Sequence, residues 1–158
     1  MHNYKRLNNY TGWFSFLIAL IVYSITVEDT ASFWDAGEFI AVSNKLEVPH
    51  PPGAPFYLLL GRFFSLFAFN NPELVALSIN FLSVIASAFT ILFLFWTITH
   101  LSRKIIKPNN NTNIFLVLIS GITGAISFTF TDSFWFSAVE AEVYAMSSFF
   151  TAFVFWAI

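Results

Sequence analysis

Two stretches of this chain, Leu7 to Val27 and Leu74 to Ser102, contain no Asp, Glu, Lys or Arg at all. A helix needs roughly 20 apolar residues to cross the hydrocarbon core of a bilayer, and both stretches are long enough. They set the class as an all-α membrane protein before any motif is read. Composition agrees, since 57% of the 158 residues are hydrophobic and only 10% are charged, where soluble domains carry about a quarter. No basic patch points to nucleic acid as a partner. The chain has no Cys, which excludes disulfides, thiol catalysis and thiolate metal sites.

Spans are expected at about 8–27, 75–101, 114–130 and 139–158, with an outer loop over 28–74. Lys5 and Arg6 precede the first span, and no small-residue cleavage site follows Ser24-Ile25-Thr26-Val27. It therefore reads as an uncleaved span with a cytoplasmic N-terminus. Arg103, Lys104 and Lys107 follow the second span, in a polar loop ending Pro108-Asn109-Asn110-Asn111-Thr112-Asn113. The segment Pro55 to Phe69 contains Arg62 and is shorter than a crossing requires. Laid along the outer surface, it leaves both basic clusters on the cytoplasmic side. All the acidic residues then fall on the outer side or at outer span ends. The last run is still apolar at Ile158, which reads as the N-terminal part of a longer transmembrane domain.

Within the loop, Ser32-Phe33-Trp34-Asp35 has the form of a capping box, predicting a helix from about Phe33 to Leu46. Val48-Pro49 ends it, because a residue before proline is pushed out of the helical region. Pro51, Pro52 and Gly53 make a turn, and Pro55 starts a second helix. Asp35 and Glu38, three apart, share a helical face, and the turn can return His50 to it.

Bland readings stand beside the functional ones. Asp35 is a capping acid or a base, and Glu38 a first-turn acid favoured by the helix dipole or a site residue. His50 alone is more often structural, and Arg62 more often a snorkelling cation. Glu140 and Glu142 favour function, since acids at a span end are costly unless they face a cavity. Trp13, Trp96, Trp135 and Trp156 read as packing or interfacial residues. The glycosylation pattern Asn110-Asn111-Thr112 lies on the expected cytoplasmic side and is discounted. The chain has no phosphate-binding glycine loop, no H-E-x-x-H, no G-x-S-x-G and no internal repeat. No acidic spacing demands a divalent ion, so neither a metal nor a cofactor is expected.

Asp35-Ala36-Gly37-Glu38-Phe39, then His50-Pro51-Pro52-Gly53-Ala54-Pro55, then Trp135-Phe136-Ser137-Ala138-Val139-Glu140-Ala141-Glu142-Val143-Tyr144 resembles the GT-C membrane glycosyltransferases. The likeness is to their protein O-mannosyltransferase-like branch with D-x-G-E, H-P-P-G-x-P and A-E-V-Y. The resemblance implies transfer of a mannose-like sugar from a polyprenyl-phosphate donor to a Ser/Thr hydroxyl of an acceptor protein at the outer face. It implies Asp35 as catalytic base, with Glu38 beside it in the acidic motif. A leaving polyprenyl phosphate needs cationic help, for which His50 and Arg62 are the candidates, while Glu140 and Glu142 complete the substrate-binding set. The absent Cys and the Asn-rich loop lean to a bacterial inner membrane over the endoplasmic reticulum. Two other classes remain open: a transporter fragment, which predicts acids within spans, and a non-catalytic membrane subunit whose loop is a docking surface.

Overall fold

The computed structural model describes residues 2–158, and among them there is no strand. Seven α-helices follow in order: α1 (His2–Thr26), α2 (Ala36–Lys45), α3 (Pro55–Ser65), α4 (Val75–Ile105), α5 (Asn111–Thr129), α6 (Asp132–Ala138) and α7 (Val143–Ala157). The all-α membrane class predicted from the sequence is the one observed. Helices α1, α4 and α5 are each long and apolar enough to cross a membrane, and α6 with α7 makes a fourth crossing if the pair is taken as one broken span. The chain is a multi-pass membrane protein.

Helix α4 is the centre of the bundle. Its 31 residues rise about 46 Å at 1.5 Å per residue. Its buried apolar side chains include Val84, Ala88, Ile91, Leu92 and Phe95, packed with Phe16, Ala19 and Tyr23 of α1, Ala125 of α5, and Phe134 and Ala138 of α6. Lipid tails are as apolar as leucine, so such helices are held by close packing and internal hydrogen bonds rather than by exclusion from water. Gly121 shows the closeness required. A Cβ there would lie 2.5 Å from Thr99 Cγ2 and 2.8 Å from Phe95 Cε2, so any larger residue forces α5 away from α4. Ser102 and Ser120 Oγ atoms pair at 2.9 Å across the same seam.

Helix directions follow from contacts at the two ends. Arg103, late in α4, stacks on Tyr4, early in α1, at 5.1 Å. Asn80, early in α4, donates to Glu28 O at 2.6 Å and Thr30 O at 3.2 Å, just past α1. The two are therefore antiparallel. Tyr23 OH donates to Thr129 O at 2.9 Å, so α1 and α5 finish at one end, here called the head. Ring contacts Phe89–Phe149, Phe93–Phe153 and Trp96–Trp156 show α7 running parallel to α4. Both basic clusters lie at the opposite, tail end.

Segment 27–74 leaves the head and returns to it, since Glu28 meets Asn80 there and α4 starts at Val75. Helices α2 and α3 lie over the head, with Phe39, Val42, Tyr57 and Leu58 packed on Leu82 and Ala86 of α4 and Ala145 and Met146 of α7. Gly61 lets them cross tightly, for a Cβ there would meet Ser43 Oγ at 2.6 Å. Helix boundaries differ from expectation in one place that matters. The apolar run from Val139 becomes helical only at Val143, after a 110° bend between α6 and α7. Val139 O accepts the Glu28 N–H at 2.9 Å and the Glu142 N–H folds back onto Glu140 O at 2.9 Å. The hydrogen-bond ladder cannot continue through that turn, so residues 139–142 form a non-helical stretch at the head.

Candidate active site

The capping box expected at Ser32–Asp35 does not form. Trp34 is in the left-handed region at φ 62°, a conformation that is an outlier for a bulky residue, and α2 starts only at Ala36. The Ser32 hydroxyl bonds to Glu140 Oε2 instead. Asp35 occupies the N-cap position at φ −85°, yet its side chain makes no cap hydrogen bond. Its carboxylate has no helical duty and stands half-exposed. Helix α2 ends on Leu46, also left-handed at φ 57°, ahead of the Val48-Pro49 pair that stops it.

The turn after α2 carries His50 back to the helix start. Gly53, at φ 79°, donates its N–H to His50 O at 3.0 Å. Glu38 then accepts from the His50 backbone N–H at 2.8 Å and pairs with Nδ1 at 2.7 Å. His50 Nε2 faces Asp35 Oδ2 at 4.0 Å. The bond to Glu38 and the Glu38 charge push the His50 imidazole up from its ordinary value, with Asp35 and Glu142 adding to the effect. The same hydrogen bonds hold Glu38 below the usual carboxylate range. Both effects favour the protonated imidazole beside Asp35.

Opposite lies the α6–α7 turn. Glu140 is 2% exposed and Glu142 6%. Glu140 Oε1 is buried without a hydrogen-bond partner. Burial raises the Glu140 carboxyl, against the lowering effect of Ser32. Burial also pushes Glu142 up to about 7, helped by the negative charges of Glu140 and Asp35. Trp34, Asp35, Phe136, Ser137, Glu140, Glu142 and Tyr144 line a cavity of about 230 Å³ between the two turns.

Of the residues singled out in the sequence, the structure brings together Asp35, Glu38, His50, Glu140 and Glu142. Arg62 lies elsewhere. Its Nη1 donates to Asn44 O at 2.7 Å, with Asn44 Oδ1 at 3.2 Å and Ser65 Oγ at 3.3 Å, and it lines a different cavity with Lys45 and Asn70. It ties the end of α2 to α3. Asp35, Glu38 and His50 each offer one ligand atom within 4.8 Å of the others, a spacing one divalent cation can fill, although Glu38 and His50 already satisfy each other. Sequence reading missed Ser32 as a partner of Glu140, Trp34 as a cavity wall, and Asn80 as the post that holds the start of the loop. A polar residue in an otherwise apolar span was the available signal for Asn80.

The sequence over residues 35–158 matches the family described as Protein O-mannosyl-transferase TMEM260 N-terminal domain. Among curated proteins, the Protein O-mannosyl-transferase tmem260 of Dictyostelium discoideum is 31% identical over 137 residues, 87% of this chain and 15% of that protein. The Protein O-mannosyl-transferase TMEM260 of Mus musculus is 29% identical over 130 residues, 82% of this chain and 16% of its own length. The aligned region is thus a small part of either relative. Both relatives are eukaryotic, so they lend no weight to a bacterial inner membrane over the endoplasmic reticulum. No solved structure matches the chain.

Proposed function

The chain belongs to the TMEM260 N-terminal domain family of protein O-mannosyl-transferases, and from that membership we propose that it forms the catalytic N-terminal membrane part of a glycosyltransferase. The reaction moves mannose from a polyprenyl-phosphate carrier to a Ser or Thr hydroxyl of an acceptor protein. In this reading the head faces the non-cytoplasmic side and both basic clusters face the cytoplasm, as the positive-inside bias favours.

A hydroxyl is a poor nucleophile until a placed base takes its proton. Asp35 accepts that proton as the hydroxyl oxygen bonds to the anomeric carbon. The carbon–oxygen bond to phosphate breaks, and the polyprenyl phosphate leaves with the electron pair. Developing charge on the phosphate needs a fixed cation or hydrogen-bond donor, and His50, held by Glu38, supplies it. Glu38 is then a positioning residue. Arg62, engaged with Asn44 and Ser65, holds the α2–α3 frame and does not meet the phosphate. Glu140 and Glu142 bind substrate from the opposite wall, and no step is routed through a metal.

The observation that supports this most is the Asp35 carboxylate, at a helix N-cap but without a cap bond, open both to the cavity and to His50. The test is sugar transfer from a polyprenyl-phosphate donor by the intact protein and its Asp35→Asn variant, with melting temperatures alongside. Asn keeps the shape and can still cap a helix. Loss of a base lowers turnover about 10²- to 10⁴-fold while Tm stays put. Near-normal turnover in a folded variant overturns the assignment.

A further inference from the structure

The cavity between Trp34 and the α6–α7 turn has a lining that selects for one part of a lipid-linked sugar. It carries three carboxyl groups, from Asp35, Glu140 and Glu142, two hydroxyls, from Ser137 and Tyr144, and three aromatic rings, from Trp34, Phe136 and Tyr144, with no Lys, Arg or His. A phosphate is repelled by such a wall. A group rich in hydroxyls is not, because a carboxylate accepts from a hydroxyl and a carboxyl that keeps its proton also donates to one. The volume of about 230 Å³ lies below the roughly 300–1,000 Å³ of sites for drug-sized ligands, and suits a single ring.

Two features show that the cavity is built to be filled. Glu140 is almost fully buried, yet its Oε1 has no partner, and a buried acceptor left unpaired destabilises the fold unless a ligand completes it. Trp34 is 87% exposed and held in a left-handed backbone conformation, where burial gives it nothing. Its indole face carries negative quadrupole density, the complement of the weakly positive C–H face of a pyranose.

We propose that this cavity is the seat of the donor's hexosyl group, with Trp34 and Tyr144 as ring platforms and Glu140 Oε1 accepting a sugar hydroxyl. The proposal rests on the glycosyl-transfer reading and adds to it where the sugar sits. The phosphate then points out of the cavity, past Asp35 towards His50, which puts the anomeric carbon beside the base.

The experiment uses the intact protein in lipid nanodiscs. Methyl α-D-mannopyranoside is the probe in saturation-transfer NMR, and initial rates are measured against donor and acceptor peptide separately. Wild type transfers saturation to the C–H protons of the probe, and Trp34→Ala loses this signal. Trp34→Ala raises the donor KM about tenfold, the scale of one aromatic contact, with little change in kcat or acceptor KM. Trp34→Tyr restores both. Glu140→Gln raises the donor KM as well, and since Trp34 is exposed its variants carry the test if Glu140→Gln misfolds. A rise in acceptor KM alone assigns the cavity to the peptide and overturns the proposal. Asp35-dependent transfer with donor KM unmoved by Trp34→Ala overturns the seat and leaves the transferase reading intact. Trp34-dependent binding of the probe by a protein that transfers no sugar does the reverse.

Discussion

The two turns that face each other at the head handle their acids in opposite ways. At the start of α2, Glu38 sits in water and is paired twice to His50, which favours the charged form of each. At the α6–α7 turn, Glu140 and Glu142 are buried with no ion pair among the described residues, and His50 is the least of the influences on Glu142. There burial favours the proton, and Glu142 is pushed up to about 7. Exposure with a partner fixes charge, whereas burial without one leaves a group that takes or gives up a proton near neutrality. Asp35 stands between the two, in contact with both kinds of surroundings.

That contrast can be broken by experiment. His50→Ala removes the cation and should lower transfer about 10²-fold, as loss of one charge-stabilising donor does. The turn should survive, because the Gly53 N–H bonds to the His50 carbonyl and not to its ring, so Tm is measured in parallel. Glu38→Gln keeps the imidazole but withdraws its charged partner. The raised His50 value then falls back, and the alkaline limb of the kcat/KM profile moves to lower pH with a several-fold loss at neutrality. A limb that stays where it was would show that some other group supplies the positive charge.

Glu142→Gln acts on the other turn, and its main effect is on stability. A carboxyl raised to about 7 from its ordinary value near 4.5 binds protons more strongly when folded. Wild-type stability therefore declines as pH rises from about 4.5 to about 7 and levels off above. The variant should lack that decline, so melting curves at pH 5 and pH 8 differ less for it than for wild type. An unchanged pH dependence would mean that Glu142 is not the group that titrates. The smallest effect is expected from chelation. Treatment with EDTA should leave transfer unchanged, since Glu38 and His50 already pair with each other, and a chelation-sensitive activity restored by a divalent cation would turn the Asp35–Glu38–His50 cluster into a metal centre.

The bundle was legible because the bilayer leaves so little choice: charge-free runs of sufficient length become long apolar helices, and a short one carrying Arg62 makes a shorter helix. His50 reaching Glu38 was legible from a proline turn three residues past the helix. What failed to show was long-range competition. Ser32 has a capping residue's chemistry, but its hydroxyl is taken by Glu140, 108 positions away, and local spacing carries no trace of that. The bend between Ala138 and Val143 left no local mark either, and the Glu28 N–H that bonds to Val139 O there arrives from the end of α1. Arg62 was read through its charge, and the structure explains it through the carbonyl of Asn44. The Glu140–Glu142 cavity was anticipated, because an acid beside an apolar run has few other places to go.

The bond between Ser32 and Glu140 also has a meaning for the order in which the chain is made. A membrane protein is inserted from its N-terminus, and the part carrying Asp35 and His50 emerges long before residues 139–142. Until α7 is in place, Asp35 has His50 beside it but no opposite wall, and the cavity lined by Glu140, Glu142 and Tyr144 does not exist. The cavity comes into being only when a late segment closes on an early one.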